Sequence, residues 1–288
     1  MEETLSETNP YAGLAFLVDT LNAIQKIRQS TGNRVTHLSK RGKRDEVAER
    51  YHELMQGVED DLVKDIEPLI VTHPTWKWAS RVKGVGKENL AKVVGLIERV
   101  ENDSTHGVEC FATPSKLVRF SGVAVIDGKA ERRVVGEKLH YCSELRVMLW
   151  RLGGNLLKAE GKFYNYYLGE KAYLEARYKS EGKSILPTPK GKYCPKCAKV
   201  VNIKKGKYCP DCRTALMKKV EPPNVIFEGH LHASALRRTI RMFVIMLDTA
   251  WREELGLPTR DPYPVEHLGH TQILTPLDFV DDKKQKSE

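Results

Sequence analysis

Four of the six cysteines fall in two near-copies of one short motif, Tyr193-Cys194-Pro195-Lys196-Cys197 and Tyr208-Cys209-Pro210-Asp211-Cys212, with eleven residues between Cys197 and Cys209. Nothing else in the chain restricts its fold as tightly. A Cys-Pro-x-Cys turn places two thiolates on one side of a tight loop. Two such knuckles facing each other set four sulfurs at the corners of a tetrahedron, the geometry of structural Zn²⁺. Cys194, Cys197, Cys209 and Cys212 are therefore read as the ligands of one zinc ion, with iron, or a site that no longer binds metal, as the alternatives. Four thiolates fill the shell and leave no open position for catalysis. A short strand pair is expected over Lys199 to Lys207, and small modules of this kind commonly fold only with their metal. Cysteines used in this way point to a reducing, cytoplasmic setting rather than to disulfides. Cys110 and Cys142 read as small buried apolar residues.

The ribbon is flanked by Ser180 to Lys190, rich in Gly, Pro and Ser, and by Pro222-Pro223, both read as linkers. The rest of the chain reads as helix, so the fold class is mainly α, a helical bundle with an inserted ribbon. Tyr11 to Gln29 carries Leu14, Leu17, Leu21, Ile24 and Ile27 at helical spacing, and Thr31-Gly32-Asn33 is expected to end it. A basic stretch, Arg34 to Arg44, reads either as a solvated loop between helices or as a phosphate-contacting strip. Asp45 to Ile70 is a second long helix, closed by Pro68 and Pro74, and the pair reads as a helical hairpin able to associate with another copy.

Trp76 to Val100 then holds two apolar-periodic segments about Lys83-Gly84-Val85-Gly86-Lys87. Glycine tolerates positive φ, and the first N–H groups of the following helix lack helical partners. Those amides, the helix dipole and the two lysines suit a phosphate. The five residues Lys83, Gly84, Val85, Gly86 and Lys87 are read as a helix-hairpin-helix gripping a nucleic-acid backbone, against the plainer reading of a corner that happens to use glycine. Thr113-Pro114 signals a helix start before Lys116 to Phe120. Val123 to Val125 and Glu131 to Val135 read as a β-hairpin about Asp127-Gly128, made basic by Lys129, Arg132 and Arg133. His140 to Tyr167 reads as one long helix interrupted at Gly153-Gly154, with Phe163, Tyr164, Tyr166 and Tyr167 as packing aromatics. His230 to Leu255 is the last helix, capped by Gly256, and Asp281 to Glu288 reads as a charged, disordered tail. The resulting domains are 1–74, 75–180, 181–223, 224–260 and 261–288.

A net charge of +9 favours a polyanionic partner, and lysines surround the knuckles. No long apolar run suggests a membrane partner, and the acidic MEETLSETNP start does not read as a signal peptide. These features point to DNA or structured RNA as the partner and to a nucleoid-associated protein.

From about Leu21 to Tyr178, and again over His230 to Trp251, the chain resembles the transposases of insertion sequences 110, 116 and 902, the bridge recombinases. The resemblance is carried by Val82-Lys83-Gly84-Val85-Gly86, by Phe111-Ala112-Thr113-Pro114-Ser115-Lys116-Leu117, by Phe120-Ser121-Gly122-Val123, by Leu145-Arg146 with Leu149, and by the late helix His230 to Met246. It implies a DNA-binding protein of transposition or recombination, with a guide RNA or a separately encoded nuclease subunit among its partners. The family's N-terminal acidic nuclease domain has no counterpart here. Its nucleophilic serine falls in a stretch that here reads Val125 to Arg133 and holds no serine. Ser121 and Ser143 are the nearest hydroxyls, each read more simply as a cap or turn residue, so the resemblance leaves catalysis undecided. A structural RNA-binding zinc protein is the alternative outside that family.

Overall fold

The computed structural model describes residues 11–102, 105–126, 128–197, 199–201, 206–217, 221, 224–260 and 274–281. It is mainly helical, with four small strand pairs. Two compact units emerge, one of residues 1–164 with 240–288, the other of residues 165–239. The second unit is wider than the 181–223 ribbon read from the sequence, because it takes in one end of each flanking helix.

The first unit begins with α1 (Ala12–Ser39) and α2 (Glu46–Thr72), an antiparallel pair. The expected break at Thr31-Gly32-Asn33 does not occur. A Cβ at Gly32 would stand 2.9 Å from the His52 ring, so this glycine admits a close helix crossing. Tertiary contact overrides its weak helix propensity. Arg34 is consequently helical and pairs with Asp45 at 2.7 Å. Asp45 caps α2 by accepting from the Ala48 N–H at 3.0 Å, the usual role of aspartate at a helix start. Pro68 lies inside α2, which runs on to Thr72.

A single turn, α3 (Trp76–Ala79), leads through the glycine loop into α4 (Lys87–Glu98). Every residue from Leu90 to Glu98 is buried. This helix is the axis of the unit and packs on α1, α2 and α6. Its buried Lys92 donates to the Gln25 side chain at 2.9 Å, and Gln25 donates in turn to Glu59 of α2 at 2.9 Å. Buried polar groups need such partners.

Strands β1 (Glu101–Asn102) and β2 (Thr105–His106) pair antiparallel and run into a 3₁₀ turn, Gly107–Cys110. Helix α5 (Pro114–Phe120) follows; Thr113 accepts from the Lys116 N–H at 3.3 Å, with Pro114 at the first helical position, as expected. The next hairpin is shorter than the sequence suggests: β3 (Val125–Ile126) pairs with β4 (Lys129–Ala130), and Glu131 to Val135 lies outside it. The expected long helix is two, α6 (Ser143–Lys158) and α7 (Lys162–Ser180). Gly153-Gly154 does not interrupt α6; the break falls at Ala159 to Gly161, where Glu160 has a φ of 50°.

In the second unit β5 (Ser184–Leu186) pairs in parallel with β8 (Val225–Phe227), so the stretch read as a linker is clasped across the base of the ribbon. Strand β6 (Lys192–Cys194) enters the first knuckle and pairs antiparallel with β7 (Lys199–Val201), which leaves it. The ribbon pair therefore brackets the knuckle rather than filling 199–207; residues 202–205 lie outside the described set.

Helix α8 (Glu228–Glu254) is the last α-helix among the described residues, and Gly256, at φ 66°, ends it as read; a 3₁₀ turn, Pro276–Phe279, follows. In the first unit, Phe163 stacks on Phe279 at 4.3 Å between ring centroids and meets Trp78 and Phe243 edge-on, so this aromatic packs as expected. Residues 274–281 are docked here: Phe279 and Val280 are buried, and the Trp78 indole donates to the Pro276 carbonyl at 2.8 Å. Asp281 is thus part of the fold, while 282–288 and 1–10 lie outside the described residues.

Candidate metal centre and basic surfaces

The four ligand atoms of Cys194, Cys197, Cys209 and Cys212 all lie within 4.8 Å of one another. The Cys194 and Cys212 sulfurs are 3.4 Å apart. A tetrahedral ion with metal–sulfur bonds of about 2.3 Å spaces its sulfurs by about 3.8 Å, so the cluster has the size of such a shell. The first knuckle shows its signature amide contact, the Cys197 N–H donating to the Cys194 sulfur at 3.4 Å. The second closes by the Arg213 N–H donating to the Cys209 carbonyl at 2.9 Å, with Arg213 at a φ of 54°. Backbone pairing of Tyr193 with Met217 and of Tyr208 with Ala215 brings the two knuckles face to face.

The electrostatics fit a cation. The hydroxyl and backbone of Thr214 draw the Cys212 thiol down to about 6. Contacts with the Cys212 and Cys194 thiols push Cys197 up to about 12. Four crowded sulfurs give up one proton readily and hold the last, unless a positive ion takes its place. The residues can hold a metal ion.

Around the cluster Lys190, Lys192, Lys196, Lys199 and Lys207 are exposed, and Tyr208 is 61% exposed. Lys199 pairs with Asp211 at 2.7 Å. Arg238 of α8 pairs with Glu170 at 2.6 Å and lies over the Tyr173 ring.

In the first unit, Lys129, Arg132 and Arg133 are exposed, and among the described residues none of the three is in an ion pair. The segment is tethered by Arg146 of α6, which donates to the Glu131 carbonyl at 2.9 Å.

The glycine loop is engaged differently from the phosphate-grip expectation. The Lys83 N–H donates to a carboxylate oxygen of Asp281 at 2.8 Å, and the other oxygen accepts from the Lys162 N–H at 2.9 Å. Asp281 therefore holds the amide that opens the loop, and not the first amides of α4, whose N-cap Gly86 makes no side-chain cap. Gly84 has a φ of 90°, and a Cβ there would lie 2.8 Å from the Asn155 carbonyl oxygen of α6. Val85 is buried, and Lys87 pairs with Glu67. Only Gly86 faces open space. Gly84→Ala should therefore destabilise the fold by about 1–3 kcal/mol through strain and crowding, and Gly86→Ala should change it by less than about 0.5 kcal/mol. Thermal or urea melts of the two variants check this.

Ser121 is fully buried, its hydroxyl donating to the Val118 carbonyl at 2.8 Å, so it serves α5 as a C-terminal cap. Ser143 is exposed as the first residue of α6. Neither shows a base beside its hydroxyl among the described residues. Cys110 and Cys142 are half-buried rather than buried.

The sequence reading missed a buried polar array in the first unit. His73 bonds the Thr75 hydroxyl at 2.8 Å and Glu98 at 3.1 Å, and the second Glu98 oxygen lies 3.1 Å from His106. From α8, distant in sequence, Arg252 pairs with buried Asp248 and donates to the carbonyls of Val108 and Phe111. The available signal was a charge on an apolar helical face: Glu98 closing the run from Leu90, and Asp248 with Arg252 one turn apart.

Fold and site together define a mainly helical protein with a four-cysteine metal-binding module. No protein-family profile, curated protein or solved structure matches the chain. Among the described residues no helix is long and apolar enough to cross a membrane.

Proposed function

We propose that the chain is a nucleic-acid-binding protein of the transposase type, which contacts DNA through a zinc-held basic ribbon and through the exposed cations that follow β3. The observation that carries this reading is the convergence of four thiolates within 4.8 Å inside a module that, among its described residues, exposes Lys190, Lys192, Lys196, Lys199, Lys207 and Arg213 against one acid, Asp211. Zinc is the ion that a compact four-thiolate shell suits best, ahead of iron. The metal fixes the shape of the module, the lysines supply counter-charge to phosphates, and Tyr208 offers a ring face for base stacking. The association with transposition or recombination rests on the order of sequence motifs from Val82 to Leu149.

In this reading the Lys83 to Lys87 loop is a corner of the helical core. Its Lys83 amide is held by Asp281, and Glu67 and Glu88 stand at the start of α4. A serine nucleophile at position 121 does not suit the geometry, because that hydroxyl is buried. Catalysis, where it accompanies binding, falls to a partner subunit.

The test is fluorescence anisotropy with duplex DNA, a four-way DNA junction and structured RNA over a range of salt. Affinity should fall steeply with salt. Arg132→Glu with Arg133→Glu, and separately Lys196→Glu with Lys207→Glu, should weaken binding on all DNA sequences and flatten the salt slope by about one unit per lost phosphate contact. Absence of salt-dependent binding to any of the three rejects the proposal. Tight binding to RNA alone favours the structural RNA-binding reading, since backbone contacts by themselves discriminate poorly.

A further inference from the structure

The α1–α2 hairpin leaves an apolar seam uncovered. On α2, Val47, Tyr51, Leu54 and Val58 recur at steps of four, three and four residues and are 59, 47, 54 and 36% exposed. Such spacing aligns side chains along one line of a helix, as in a coiled-coil seam. The residues of α2 that are buried within the chain, Ala48, Glu59, Ile66 and Ile70, lie on a different side of the helix. Ile27 of α1, half-exposed, borders the seam, and Ile27, Thr31, Ala48, Tyr51 and Met55 line a shallow groove beside it. Scattered exposed leucines need no explanation, but a continuous seam on a 27-residue helix does.

We propose that this face pairs with the same face of a second copy of the chain, α2 against α2 and antiparallel, to give a four-helix bundle. Charge selects the occupant. Towards the hairpin tip, exposed Lys40, Arg41, Lys43, Arg44 and Arg50 outnumber exposed Glu46 and Glu53; towards the other end of the seam, exposed Asp60, Asp61 and Asp65 outnumber exposed Lys64. A two-fold axis near Leu54 lays each basic tip on the acidic shaft of the other copy. A parallel pairing would set like charges side by side, which is unfavourable.

Arg50 and Asp61 are eleven residues apart, about three full helical turns, and so flank the seam on the same side. In an antiparallel pair about that axis, each Arg50 then stands within about one helical turn of Asp61 of the second copy, inside the reach of its long side chain. Arg50 now lies over the Tyr51 ring at 5.3 Å, and Asp61 pairs with Lys64 at 2.9 Å with both side chains 74% exposed. An exposed pair of that kind contributes little, so both groups are available to a new partner. The inference stands apart from the nucleic-acid reading, because it uses none of the same residues.

Sedimentation velocity of the full metal-loaded chain tests it. The wild type should run as a dimer across the micromolar range. Leu54→Glu should give a monomer with unchanged helical circular dichroism. Arg50→Glu and Asp61→Arg should each weaken the dimer, and the two together in one chain should restore it. Leu54→Cys should cross-link to itself on oxidation, whereas Phe16→Cys, more exposed but off the seam, should not. A monomeric wild type, a dimer indifferent to Leu54→Glu, or a double swap no tighter than either single change overturns the proposal. So does a monomeric chain whose seam instead captures a different protein or a nucleic acid.

Discussion

Replacing Cys194 or Cys209 by serine should release the metal and unfold the ribbon, with the helices of the first unit still folded. Both sulfurs are buried at the centre of the knuckles. Little else holds them there: Val200, Tyr208 and Met217 are 39, 61 and 51% exposed, and Tyr193, Val201 and Leu216 are only part-buried. With so little apolar surface removed from water, the hydrophobic effect cannot order this stretch alone. A structural zinc contributes on the order of 10–16 kcal/mol of apparent binding energy, which in such a module is folding energy. One zinc per chain should therefore be found by plasma mass spectrometry in the wild type and none in Cys194→Ser. Chelation should expose four reactive thiols and open Lys190 to Met217 to proteolysis. Freely reactive thiols in the metal-loaded protein, or a ribbon that resists protease after chelation, would sink this account.

Arg252→Ala should be the most costly single change in the first unit. The guanidinium pairs with Asp248 at 3.2 Å and donates to two carbonyls of the 107–111 turn, all out of water. Its loss strands a buried carboxylate and two acceptors, a defect worth about 3–5 kcal/mol. Asp248→Asn should cost less, and it should also change the pH dependence. Burial raises the Asp248 carboxyl to about 6, with Arg252 opposing the shift. Its folded pKa thus lies above its unfolded one, and the folded state binds the proton more tightly. Its contribution is present at low pH and is lost as pH climbs from about 4 to 6. His73 acts in the opposite sense. Burial lowers its pKa, with Glu98 opposing, so the neutral ring favours the fold above the unfolded value and protonation erodes stability below it. Chemical denaturation between pH 4 and 7 should show stability rising more steeply with pH in Asp248→Asn than in the wild type, because the opposing Asp248 contribution is gone while that of His73 remains. Identical profiles would mean that Asp248 does not titrate there.

Where structure was encoded by neighbours in sequence, it was legible. The two knuckles, the Thr113-Pro114 start of α5, the Gly256 stop of α8 and the packing of Phe163 each follow from a few adjacent residues or from helical periodicity. Glycines misled because they serve two needs. At Thr31-Gly32-Asn33 the sequence suggests a breaker, whereas Gly32 lets α1 approach His52. At Gly153-Gly154 an interruption was expected, yet α6 runs through and turns at Glu160 instead. Gly84 and Gly86 look equivalent in the string; one is wedged against α6 and the other faces open space.

By itself, then, the order of residues determined the helical class, the existence of the hairpin of long helices and the identity of four clustered cysteines able to hold a metal ion. Each of these is written in local spacing, and local spacing needs no knowledge of what packs on what. Only the tertiary structure decided that Asp281, 198 positions beyond Lys83, closes on the glycine loop. It alone showed that Arg252 braces the 107–111 turn, and that one seam of α2 is left without a cover. Those are contacts between distant segments, fixed when buried amides, carbonyls and charges must find partners somewhere in the folded chain.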